Sequence, residues 1–421
     1  MNVRKYFFLS LTLLLSFKLA AQGFLLSEAE HMAVNSDPAQ KIYQAQQSAL
    51  RAQGVSASTL ADPMIKLGMA NIPTDSFQLD QDPMTQLSVG LSQQFSRGSQ
   101  LELARKGFNQ QSETAVYAAV DRQLTVKKTV RELWFSILFV EKSKELVAEN
   151  KKLFSGFYND LQSQFSLGLA DNEDLIAAEI ELSRYDEKSA LLTQQSLNYR
   201  TLLSEWIGQN AYGRLAADIP EWRDTLAYIE AGKGAEQHYQ LLSSHPQVKM
   251  LAQNILVADN NIKLAEQDYK PSFKVEVGYG HRLSEMDDGM ARPDLLSGFV
   301  SMDIPLFTDK RQDQKMISAQ QIKGQKQAEH RLLLRQLNAL LDAQIINYQQ
   351  LAARQLRYKE TLLKQAKLQS RLLEQSYQSN TRPFKEVIQA YINEQNLSIE
   401  YQQLYFDGLK SLSQIRYFQA L

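Results

Sequence analysis

Residues 165–178 read Phe-Ser-Leu-Gly-Leu-Ala-Asp-Asn-Glu-Asp-Leu-Ile-Ala-Ala, and residues 377–390 read Tyr-Gln-Ser-Asn-Thr-Arg-Pro-Phe-Lys-Glu-Val-Ile-Gln-Ala. Aromatic matches aromatic, Gly168 matches Asn380, Leu175-Ile176 matches Val387-Ile388 and Ala178 matches Ala390, all at an offset of 212. The same offset relates Phe95 to Phe307, each closing a short alternating segment. The pattern describes a duplicated unit. In each copy a long helical pattern stops at Gly168 or Asn380, residue types that readily take the left-handed conformation of a helix C-terminus. A new helix then starts, with Asp171 or Asn172 as candidate N-cap in one copy and Pro383 near the first helical position in the other.

Composition narrows the function. The chain of 421 residues has a net charge of −1, with no basic stripe for nucleic acid and no acidic tail. Cysteine is absent, which excludes thiolate metal sites, thiol nucleophiles and disulfides. The five histidines, His31, His238, His245, His281 and His330, show no paired ligand spacing and read as surface or interfacial residues. Neither a nucleophile elbow nor a phosphate loop is present, so no enzyme, catalytic residue, metal site or cofactor is expected. Arg4 and Lys5 precede an apolar run, Phe7 to Phe17, followed by Ala20-Ala21, the grammar of a secretory signal over residues 1–21. That run is too short to span a bilayer as a helix.

Along the chain, residues 22–208 form the first repeat, 209–235 the linker and 236–421 the second repeat. A helix over Glu28 to Gln53 leads to alternating strands at about 64–70 and 86–95, with Ile65, Leu67, Met69, Leu87, Val89 and Leu91 on one face. From Gly98 to Phe165 breakers are almost absent, and Val126, Val130, Leu133, Ile137 and Val140 form a heptad seam. The first turn falls at about 166–173 and its second helix ends near Ile207. The second repeat places strands at about 272–280 and 297–304 and a long helix at about 310–379. Leu333, Leu337, Leu340, Leu341 and Ile345 make the stripe of that helix, and the second turn falls at about 378–384. The expected fold is therefore mainly α with a small β part.

Four strands, apolar on one face and small or polar on the other, suit a sheet between lipid and water. Four cannot close a barrel, and open edges in lipid leave backbone groups unsatisfied, so several chains are expected to share one barrel. The long helices would continue its lumen as a coiled-coil α-barrel, the four strands of each chain forming part of a shared transmembrane β-barrel.

The order helix, strand pair, long helix, turn, helix, stated twice, resembles the TolC-like outer-membrane efflux proteins. The residues carrying the resemblance are Ala61-Asp-Pro63, Gly90-Leu-Ser-Gln93, Phe165-Ser-Leu-Gly-Leu169, Ile304-Pro-Leu-Phe307 and Thr381-Arg382. It implies a homotrimer in the outer membrane of a Gram-negative bacterium, with a twelve-stranded barrel and a periplasmic helical tunnel. It also implies docking to a periplasmic adaptor (membrane fusion) protein and to an inner-membrane pump of the resistance-nodulation-division type, with outer-membrane lipid as the remaining partner.

In a threefold tube each charge facing the axis becomes a ring of three. Asp171, Glu173, Asp174 and Glu386 are the acidic candidates at the tip, and Arg382 the basic one. The resemblance implies that Arg382 pairs with Glu173 or Asp174 to hold the tip shut and that Glu386 lines the entrance, whereas a further acidic position is Gln389 here. It assigns adaptor docking to Leu167, Gly168, Leu169, Ser379, Asn380 and Thr381. Similarity of the stretch from Asn71 to Thr85 to metal-efflux members points to heavy-metal cations or small toxic compounds as cargo. The alternative is a periplasmic coiled-coil adaptor or scaffold without a channel, which gives amphipathic strands no purpose.

Overall fold

In the computed structural model, residues 23–168, 171–232, 234–379 and 381–421 are described. The signal segment expected at residues 1–21 lies outside them. Among the described residues no helix is long and apolar enough to cross a membrane. The chain divides into two compact units, each discontinuous in sequence.

One unit comprises Gln40–Ala119 and Pro246–Leu333. It holds strands β1 (Met64–Ala70), β2 (Gln86–Phe95), β3 (Phe273–Arg282) and β4 (Leu295–Met302) in one antiparallel sheet of order β1-β2-β3-β4. Alternation fixes the register, because a slip by one residue would turn every side chain to the other face. Ile65, Leu91 and Val277 stand in one row, and Leu67, Val89, Tyr279 and Leu296 in another. β3 runs to Arg282, beyond the alternating span 272–280, and β4 stops at Met302, before 304. The early stop has a local cause: the Asp303 N–H still donates to the Ser272 carbonyl at 3.3 Å, but the Ser272 N–H turns to the Asp303 side chain, whose Oδ1 accepts it at 2.5 Å and the Ser272 hydroxyl at 2.8 Å.

The second unit comprises the described residues up to Ala39 with Val120–His245 and Leu334–Leu421. The single helix expected over Glu28 to Gln53 is two, α1 (Leu26–Ser36) and α2 (Ala39–Ala57). Pro38 has no N–H to continue the ladder, and Asp37 Oδ1 accepts the Ala39 N–H at 3.0 Å, starting the next helix. The Asp37 carboxylate also takes Arg122 Nε at 2.7 Å. Burial pushes this carboxyl up, but the bonds from Arg122 and Ala39 outweigh it and hold it below its ordinary value.

Helix α3 (Gln100–Ser166) runs 67 residues, about 100 Å at 1.5 Å per residue. Val126, Val130, Ile137 and Val140 of its seam are buried; Leu133 is half-buried, while Trp134 and Phe135 are enclosed beside it. Further along, Val140, Val147, Phe154 and Leu161 recur at seven-residue steps and pack with Ala178, Tyr185 and Leu192 at the same step on α4 (Asn172–Ile207). Two helices with that period keep one stripe in mutual contact along their length.

The stretch expected as a linker carries its own structure: a 3₁₀ turn (Gly208–Tyr212), α5 (Arg223–Glu230) and the start of α6 (Ala235–Leu242). Trp222, at φ +38°, lies between the guanidiniums of Arg131 and Arg416, 5.3 and 5.4 Å from its ring. Arg131 is only 4% exposed and bonds Glu30 twice, at 2.7 and 3.0 Å. His238 and His245 are fully buried, not at a surface as their scatter suggests. His238 Nδ1 meets the Tyr228 hydroxyl at 2.5 Å, and His245 Nε2 meets the Tyr417 carbonyl at 3.2 Å. Burial pushes His245 down, against Asp121 and that carbonyl.

After α7 (Pro246–Gln267), α8 (Gln312–Arg357) passes through a π-helical turn (Tyr358–Leu362) into α9 (Leu363–Gln378), where unbroken α-helix was the expectation. Inward-facing residues there advance in steps of four, Tyr358, Leu362, Ala366 and Ser370. A regular helix has 3.6 residues per turn, so a wide turn keeps that stripe on one side. Leu337, Leu341 and Ile345 are buried as the α8 stripe requires, whereas Leu340 is exposed. The last helix is α10 (Phe384–Phe418).

Replacing Glu30 by Ala strands the buried Arg131 charge, and should cost about 3 kcal/mol, read as a lower urea midpoint by circular dichroism at unchanged slope.

Candidate functional site

The two turns quoted at the outset are built differently. At the first, α3 ends at Ser166, and Gly168 takes φ +72° while its N–H donates to the Phe165 carbonyl at 2.9 Å. A side chain would be strained in that conformation. Asp171 occupies the N-cap position of α4 in extended conformation, with no side-chain cap bond. Asp171 and Glu173 are exposed, and Asp174 is half-buried. Burial, then the charges of Asp171 and Glu173, pushes the Asp174 carboxyl above its ordinary value. The helix N-terminus acts in the opposite sense, favouring the carboxylate.

The second turn closes with hydroxyl bonds. The Thr381 N–H and hydroxyl both donate to the Ser376 carbonyl, at 2.9 and 2.8 Å, and the Ser379 N–H and hydroxyl both donate to the Gln375 carbonyl. Pro383 sits at the N-cap of α10, one residue ahead of its first helical position. Arg382 pairs with Glu386, four residues on, at 3.3 Å, with both side chains exposed. Among the described residues Arg382 forms no ion pair with Glu173 or Asp174. Of the residues assigned to docking, Leu167, Gly168, Ser379 and Thr381 are all exposed, Leu167 to 72%. Leu169 and Asn380 lie outside the described residues.

What joins the two turns is an aromatic cluster absent from the sequence-derived site. Phe384, 1% exposed, meets Phe157 edge-on at 5.9 Å between centroids and Tyr377 at 5.2 Å. Phe157 also meets Phe154 at 6.1 Å and Tyr391 at 5.5 Å, and Phe154 meets Tyr185 at 5.1 Å. The Tyr377 hydroxyl donates to Gln164 Oε1 at 3.3 Å, and the Tyr391 hydroxyl to Glu374 Oε2 at 2.7 Å. The signal was available: Tyr377, Phe384 and Tyr391 are seven apart, as a packed face requires. Each such aromatic pair adds about 0.5–1.5 kcal/mol beyond the area it buries.

Among the described residues no cluster of His, Asp and Glu could hold a metal. The two turns offer exposed charge and exposed backbone on a frame of packed rings.

Two contrasting substitutions separate frame from charge. Phe384→Ala should destabilise this region by about 3 kcal/mol, whereas Arg382→Ala should change stability by less than about 0.5 kcal/mol because its ion pair is exposed; denaturant titration reads both. A raised carboxyl stabilises fully below its ordinary value and loses that contribution as pH rises through the raised one. Protection of the Leu175 amide, corrected for intrinsic exchange, should therefore fall as pH rises from 3.8, and Asp174→Asn should remove the slope.

No protein-family model matches the sequence, and no curated protein matches it. Solved structures do match. The CusC channel superposes with a TM-score of 0.75 at 14% identity, covering 94% of this chain and 91% of that one. A membrane protein from Pseudomonas aeruginosa superposes with a TM-score of 0.78 at 13% identity, covering 94% and 90%. The outer-membrane protein VceC of Vibrio cholerae gives 0.75 at 12%, covering 94% and 96%. The chain therefore has the fold of the TolC-like outer-membrane channels.

Proposed function

We propose that this protein is the outer-membrane channel of a tripartite efflux system. Three chains form a shared twelve-stranded barrel and a periplasmic coiled-coil tunnel, built from a duplicated unit behind a cleaved signal. The observation that carries this reading is the sheet. Its apolar face leaves Leu67 80% exposed and Leu296 79% exposed. Its outer strands, β1 and β4, each have a single neighbour in the sheet. A soluble monomer rarely carries so continuous an apolar surface, and in lipid the edge N–H and C=O groups need partners. Pairing β4 of one chain with β1 of the next supplies them, and lipid covers the apolar face.

The likeness in fold to CusC and to VceC supports a channel role and not an enzymatic one. An adaptor would engage the exposed tips, and an inner-membrane pump of the resistance-nodulation-division type would deliver cargo, heavy-metal cations or small toxic compounds. At the closed tip Arg382 would exchange Glu386 for Asp174 or Glu173, so that three basic and several acidic side chains lock the opening. Arg382 suits such an exchange, because its pair with Glu386 is exposed and weak.

Single-channel recording from the purified protein in planar bilayers, with its oligomer mass in detergent, tests the reading. A trimer with small conductance is expected, and Arg382→Glu should raise that conductance several-fold. Unchanged conductance in the variant would remove the clamp, and a stable monomer without conductance would remove the channel.

A further inference from the structure

The sheet face opposite the apolar one carries a charge arrangement that sequence alternation alone does not disclose. Lys66, Gly90, Gly278 and Ser297 share one row, and Ser92, Glu276 and Phe299 the next. Gly90 has no side chain, so Lys66 reaches across β2 to Glu276, with Nζ 2.6 and 2.8 Å from its two carboxylate oxygens. Lys274 on β3 approaches the same carboxylate at 3.2 Å. Toward the outer end of the same face, Arg282 donates Nε–H to the Pro293 carbonyl at 2.8 Å and Nη1–H to the Pro83 carbonyl at 3.3 Å. The Asp294 carboxylate accepts the Arg282 backbone N–H at 3.1 Å, so this residue belongs to the acidic loop end of the sheet.

At the level of Glu276 on this face two cationic heads, Lys66 and Lys274, stand against its single carboxylate. At the helical end Arg97 and Asp303 pair with each other, and Asp294 bonds His281, which stands on the apolar face. The connecting loops hold Asp75, Asp80, Asp82, Glu285, Asp287 and Asp288. From Glu276 to Arg282 the strand rises about 20 Å at roughly 3.3 Å per residue, well beyond the Debye length of about 8 Å at physiological salt. The loop acids are therefore screened at the level of Lys66 and Glu276.

We infer that Lys66 and Lys274 make this face an electropositive belt that favours passage of anionic solutes over cations. The inference rests on the reading above, in which this face lines the barrel lumen. Threefold repetition in a narrow, low-dielectric wall multiplies the surplus charge and focuses its field. A metal would then cross the belt more readily as an anionic complex than as a free cation.

The absence of cysteine gives a clean test. Ser297→Cys places one thiol in the Lys66 row, and Leu67→Cys places one on the apolar face. The full-length protein is reconstituted in phosphatidylcholine vesicles and treated with a sulfonate-bearing or a quaternary-ammonium-bearing methanethiosulfonate. Each rate is divided by that of free cysteine. At physiological salt the anionic-to-cationic rate ratio at Ser297→Cys should be raised roughly 3- to 10-fold. It should fall below one when Lys66 and Lys274 are both Gln, which leaves the Glu276 carboxylate alone, and rise further with Glu276→Gln. Ser88→Cys, on the same face, should report the same sign. A ratio at or below one in the otherwise native protein overturns the belt. Leu67→Cys reports the reading beneath it: slow reaction with both reagents is expected for a thiol facing lipid, and reaction as fast as at Ser297→Cys would overturn the barrel itself.

Discussion

A four-stranded antiparallel sheet leaves two rows of backbone N–H and C=O groups without partners, and in this protein one face of that sheet is mostly apolar. The two conditions conflict in water and in lipid alike. Water satisfies the edges and rejects the face; lipid accepts the face and rejects the edges. In the proposed channel further strands in lipid remove both, and the other parts of that proposal follow from this requirement. The opposite face, lined by Gly90, Gly278, Ser88 and Ser297, then borders solvent, and its few long side chains set the field there.

The helical unit solves a different problem. Helices as long as α3 and α4 have no globular core to fold around, so they bury a narrow stripe against each other. The seven-residue recurrence of Val140, Val147, Phe154 and Leu161 against Ala178, Tyr185 and Leu192 does this while the remaining faces stay polar. At the end of that stripe the packing thickens into aromatic rings around Phe157 and Phe384. This holds the two turns as one frame, and the charged residues are left on its outside. Charge at the tip can therefore change partners without unfolding what carries it.

Arg382 illustrates the division. Its bond to Glu386 lies within one helix and is open to solvent, while the acids around Asp174 repel one another. In the proposed lock these acids would take Arg382 from Glu386, relieving their mutual repulsion.

Sequence alone marked the alternating strands, the long helices and the apolar face of the sheet. These depend on local grammar: glycine at Gly168, the two-residue alternation of Ile65, Leu67 and Met69, and the heptad spacing from Val126 to Val140. Backbone sterics and periodicity act over a few residues, so they leave a readable trace. The break at Pro38 was equally local and is plain once the missing N–H is considered. The tertiary structure alone decided the pairing of β2 with β3, the passage of Lys66 over Gly90 to Glu276, and the burial of His238 and His245. It also decided that Arg382 bonds Glu386 within a chain, and that Tyr377, Phe384 and Phe157 share one cluster. Each joins residues far apart in the chain or chooses between partners of equal chemistry. Such choices are made by three-dimensional distance, which no local pattern records.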